Sequence, residues 1–187
     1  MNYQQRAKLL ENQHRSYTEG SIECINKQWI FFDEDTEEAT LLDLWLNQAI
    51  EVFRLNRWKE GILCGENQIK IGNVIHPLKN QDKIRIRKNL VFSLEQLAKE
   101  LNDDAFYQFI TSLNALNFSL YDCIYCYNHL TFLSETKQKN GVNFMVFDNC
   151  DTICSVHHHF FYYENESDRF EFTLSTGKRM VIEKMGK

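Results

Sequence analysis

Proline is almost absent from this chain. Pro77 is the single one among 187 residues, and glycine occurs only seven times. A disordered Pro/Gly tail or linker is thereby excluded. Long apolar runs are missing as well. No window approaches the roughly 18 apolar residues of a membrane span. Residues 1–15 lack the apolar core of a signal peptide. These absences predict a cytoplasmic protein without membrane contact. The chain has no phosphate-binding glycine loop, no Gly-x-Ser-x-Gly, no His-Glu-x-x-His and no calcium loop. An excess of positive charge is lacking too. Residues 1–90 hold thirteen basic and thirteen acidic side chains, so residues 91–187 carry the whole net charge of −5. Nothing in that balance demands nucleic acid.

What is present is core material. Fourteen Phe, eight Tyr and three Trp each bury on the order of 150–250 Å² when packed. Residues 2–13 read as a short helix with Tyr3, Ala7 and Leu10 on one face. From 17 to about 88 the alternation is that of strands. Lys83-Ile84-Arg85-Ile86-Arg87 shows it most cleanly, and Gly65 and Gly72-Asn73 mark turns. A degenerate repeat runs through this region. Glu19-Gly20 leads to Gln28, Trp29 and Phe31, and Glu60-Gly61 leads to Gln68, Ile69 and Ile71. Ile50-x-Val52 closes one copy and Ile84-x-Ile86 the other, with a gap between. Residues 36–48 fit a helix or turn crossing a small barrel.

After 90 the pattern becomes helical. Ser93 and Gln96 form a capping box, with Leu94, Leu97, Ala98 and Leu101 on one face. Asn102 caps a second helix carrying Phe106, Phe109, Ile110 and Leu113. A third is expected over 118–133. Strands follow near 142–148, 152–163, 169–174 and 178–184. The fold class is therefore α+β: a barrel-like β domain, 1–90, packed on a domain of three helices and a four-stranded antiparallel sheet, 91–187.

Six cysteines and six histidines supply the only candidates for metal or redox chemistry. A cytoplasmic setting disfavours disulfides. On a helix Cys123 and Cys126 share a face. On a strand His157 and His159 share one, roughly 6.5–7 Å apart. Together these four form a candidate zinc site of thiolate and imidazole ligands. The competing reading places the cysteines in the core, as free Cys prefers. Cys150 and Cys154 stand too far apart along a strand to share an ion. Arg54, Arg57, Trp58, Lys83, Arg85 and Arg87 form a basic and aromatic surface suited to single-stranded nucleic acid. Outward cations on strands also serve solubility and edge protection.

The run Asn2-Tyr-Gln-Gln-Arg-Ala-Lys-Leu-Leu10, with Phe144-Met-Val-Phe-Asp-Asn-Cys-Asp-Thr-Ile-Cys-Ser-Val156, resembles an uncharacterised protein family of Bacillus-type bacteria. The resemblance spans most of the chain. It implies a cytoplasmic bacterial protein and transfers no activity and no site residue. The expectation is a small cytosolic, non-enzymatic binding or regulatory protein without a cofactor, with a protein partner or a second copy of itself. The alternatives are a zinc- or thiol-dependent protein and a nucleic-acid binder.

Overall fold

The computed structural model describes residues 3–11, 13–133, 138–163 and 166–185. The chain divides into two units, 17–88 and 1–16 with 89–187. The amino-terminal helix therefore belongs with the carboxy-terminal half, not with the β region it precedes.

The 17–88 unit is one antiparallel sheet of eight strands: β1 Tyr17–Ile25, β2 Gln28–Asp33, β3 Ala39–Leu41, β4 Ala49–Arg54, β5 Arg57–Gly65, β6 Gln68–Ile71, β7 Val74–Pro77 and β8 Asp82–Arg87. Their order is β3-β2-β1-β8-β4-β5-β6-β7. Alternation buries Ile22, Ile50, Val52, Leu63, Ile84 and Ile86 on one side. Asn26-Lys27 and Leu55-Asn56 close two hairpins, all four residues with φ between 52° and 66°. Such paired left-handed residues match the twist of the flanking strands. Pro77 ends the edge strand β7, where no ladder bond is lost. The stretch 36–48, expected as a helix or turn, contains β3 and a 3₁₀ turn, Leu42–Trp45.

The second unit holds α1 Tyr3–Glu11, α2 Phe92–Glu100, α3 Asp103–Ala115, β9 Cys123–Tyr127, β10 Lys139–Asp148, β11 Ile153–Tyr162, β12 Ser167–Leu174 and β13 Arg179–Met185. The five strands form an antiparallel sheet ordered β13-β12-β11-β10-β9. Its buried face packs on α2 and α3. At the centre Phe109 stacks on Phe170 with ring centroids 5.2 Å apart, and meets Phe147 edge-on at 6.2 Å. Arg6 of α1 lies over Phe106 and donates to the carbonyls of Ala98 and Leu101. The side chains of Tyr3 and Ala7, and residues 2 and 12, lie outside the described residues.

Three expectations are corrected. The sheet has five strands rather than four. The chain is α+β but dominated by β, because the helix expected over 118–133 is strand β9 between two 3₁₀ turns, Leu120–Asp122 and Leu130–Leu133. Its apolar spacing of three comes from an irregularity in the β9–β10 ladder. Cys126 faces Met145 and Cys123 faces Phe147, so three steps on β9 oppose two on β10. A bulge of this kind re-phases a strand, and both cysteines face inward. The Ser93 capping box is absent also. Helix α2 begins at Phe92, and Ser93 Oγ donates to the Cys126 carbonyl at 2.6 Å. Asn102 does cap α3, accepting from Ala105 N at 2.8 Å.

Candidate metal centre

The β10–β11–β12 ladder decides which of the four expected zinc ligands meet. Phe144 faces Tyr127 on one side and His157 on the other, so these three share the outer face. Met145 faces Cys126 and Val156 on the buried face. His157 and His159 are thus on the outer face of β11, while Cys123 and Cys126 lie in the core on the far side of the sheet. The four-residue set is split. Burial also pushes the Cys123 thiol up to about 12 and the Cys126 thiol up to about 11. A thiol so displaced supplies little thiolate for a metal or for exchange.

The third ligand is one that sequence spacing missed. Glu171 of β12 stands directly opposite His157. His157, His159 and Glu171 each offer one donor atom, and all three atoms lie within 4.8 Å of one another. Around a tetrahedral ion with bonds near 2.1 Å, donors stand about 3.4 Å apart, inside the 4.8 Å limit these three atoms share. The His159 ring is 43% exposed, yet its Nε2 has no hydrogen-bond partner and is shielded from solvent, 3.8 Å from Glu171 Oε1. A buried, unsatisfied ring nitrogen carries a desolvation cost. Arg169 holds the same Glu171 Oε1 at 2.6 Å and compensates its charge. The signal for Glu171 is the period-two phase of Arg169-x-Glu171, which needs the hairpin register to be aligned with His157.

His158, between the two, points the opposite way and is fully buried. Asn143 Oδ1 accepts from the backbone N–H groups of His129 and Leu130. Its amide NH₂ therefore faces His158 Nδ1, at 3.1 Å. That leaves His158 Nε2–H to donate to Asp168 at 2.9 Å. Tyr162 and Asn102 also donate to Asp168. Burial pushes the imidazole below its ordinary value, against the pull of Asp168. The pair has the partners of a catalytic dyad and lies in the core.

The basic surface is largely neutralised. Lys83 pairs with Glu34 at 3.0 Å, Arg54 with Asp82, and Arg85 with Glu51 at 2.6 Å. Trp58 stacks under Arg85, Arg87 approaches the Tyr17 hydroxyl, and Arg57 is exposed.

No helix among the described residues is long and apolar enough to cross a membrane. No solved structure matches the chain. It is 28% identical over 188 residues to the uncharacterized protein YisN of Bacillus subtilis (strain 168), covering 96% of this chain and 92% of that one. The model of the family described as protein of unknown function (DUF2777) matches residues 4–184. The bacterial resemblance carried by the two sequence runs is thus extended to nearly the full length, and the chain belongs to the DUF2777 family.

Proposed function

We propose that this chain is a non-enzymatic, cytosolic binding protein whose carboxy-terminal sheet takes up a divalent transition-metal ion through His157, His159 and Glu171. The observation that carries the reading is His159 Nε2, a shielded nitrogen without a partner, within 4.8 Å of two further donors. Two imidazoles and one carboxylate suit zinc and its neighbours, and leave coordination positions for water or a partner's side chain. The burial of His158 and Asp168 favours binding over catalysis, since their exposures are 0% and 3%. The test is zinc titration of metal-stripped, untagged protein by calorimetry, with elemental analysis. One equivalent is expected. It should be lost in His157→Ala and His159→Ala and kept in Cys123→Ser. Absence of stoichiometric zinc in the parent, or its retention in the double histidine variant, would end the proposal.

A further inference from the structure

We propose that residues 17–88 are a tandem duplication: two copies of one four-stranded unit, 17–54 and 57–88, exchanging their fourth strands about a pseudo-twofold axis. The interaction surface is the β4–β8 seam, and the partner it fits is a second copy of the same unit. Exchanging β1–β4 for β5–β8 turns the strand order into its own reverse. Each fourth strand lies beside the first strand of the other copy, β8 on β1 and β4 on β5.

The equivalence holds residue by residue. Ile22 faces Phe31 as Leu63 faces Ile69. Gly20 faces Ile84 as Gly61 faces Ile50. Leu42 answers to Leu78 and Val52 to Ile86, so the ten buried apolar residues of this unit fall into five pairs. Features unrelated to packing repeat too. Asn47 and Gln81 have φ of 63° and 66°. Asn47 N–H donates to the Leu63 carbonyl at 2.7 Å, and Gln81 N–H to the Ile22 carbonyl at 2.8 Å. A Cβ on Gly20 would meet the Phe31 ring at 2.7 Å and the Phe32 carbonyl at 2.0 Å; on Gly61 it would meet Ile69 and the Lys70 carbonyl, each at 2.7 Å. Unrelated hairpins share composition, but they do not share which carbonyl receives a turn N–H.

The copies diverge on the axis. Glu51 faces Arg85, and each is the other's equivalent. In a pair of identical copies this position would face itself, placing two like charges directly opposite, which destabilises a ladder. Here Arg85 Nε donates to Glu51 at 2.8 Å. Its guanidinium lies over Tyr17 at 4.1 Å and Trp58 at 4.6 Å, themselves equivalent positions. The divergence converts a self-repelling contact into a complementary one, so the fused pair is favoured over a homodimer of either copy.

Two full-length experiments test this, one on a rearranged chain and one on a double-mutant cycle, and the proposal requires both results. In the first the copies trade places: residues 1–16, 57–88, the Leu-Asn turn, 17–54, then 89–187. It should unfold cooperatively and retain slow amide exchange at Ile22 and Leu63. Loss of that protection overturns the duplication. In the second, Glu51→Arg and Arg85→Glu singly lower Tm by about 2–4 °C. Together they should return it to within about 1 °C of the parent, because the introduced guanidinium meets the same two rings. A double variant no more stable than the worse single one overturns the axis.

Discussion

The imidazole of His158 lies flat on the ring of Phe170, with centroids 4.3 Å apart and planes 11° from parallel. This stack, with Asn143 and Asp168 at its two nitrogens, fixes one uncharged tautomer in the core. The pH consequence follows from linkage. Folding holds the His158 value below 6.5, so the unfolded chain takes up a proton first as pH falls. The stability contributed is complete above about 6.5 and is lost progressively below it. Urea denaturation across pH 5–8 should show that acid limb. His158→Phe should flatten it, while costing about 1–3 kcal/mol because Asp168 and Asn143 each lose a partner.

Thiol chemistry should divide evenly. Cys24, Cys64 and Cys150 are exposed, while Cys123, Cys126 and Cys154 are buried. Burial pushes Cys154 up to about 11, as it does Cys126. Native protein should react rapidly with a disulfide reagent at three thiols, and at the other three only on denaturation. A fourth fast thiol would contradict the placement of β9 or β11.

At the proposed metal site Arg169 would compete with the ion for Glu171, whose Oε1 it holds at 2.6 Å. Arg169→Ala removes an exposed ion pair worth at most about 1 kcal/mol. Zinc affinity should therefore rise about two- to fivefold in calorimetry. Unchanged or weaker binding would show that the carboxylate is not a ligand.

Gly20 and Gly61 should be matched in their intolerance. Each leaves no room for a methyl group against a neighbouring backbone carbonyl. Gly20→Ala and Gly61→Ala are expected to cost about 3 kcal/mol or more, among the largest single-site effects. Gly72→Ala should cost only about 1 kcal/mol, since its added Cβ meets nothing and only its positive φ is strained. Chemical denaturation of the three variants decides.

Much of the fold was legible because strand alternation is a local signal. Lys83–Arg87, the strands near 152–163 and 169–174 and the turn at Gly72-Asn73 follow from period two and turn chemistry alone. The cysteine pair misled because a bulge is set by two strands together. Cys123 and Cys126 have helical spacing, yet that spacing arises from a mismatch with β10. Ser93 misled for a related reason, since its hydroxyl finds a carbonyl on β9 instead of its own helix end. Two of the three residues of the candidate site, His157 and His159, were visible in the sequence. Glu171 required a cross-strand register, and the drifting gap between the β repeats leaves their residue-by-residue correspondence to the ladders.

Three consecutive histidines on a strand pose a problem of parity. A slip by one residue would turn His157 and His159 inward and leave His158 in water. The interior offers hydrogen-bonding groups for one imidazole, at Asn143 and Asp168, so one of the two inward rings would arrive without partners. The buried central histidine thus acts as a keying pin for the sheet. It decides, from inside the core, which pair of imidazoles is presented to the outside.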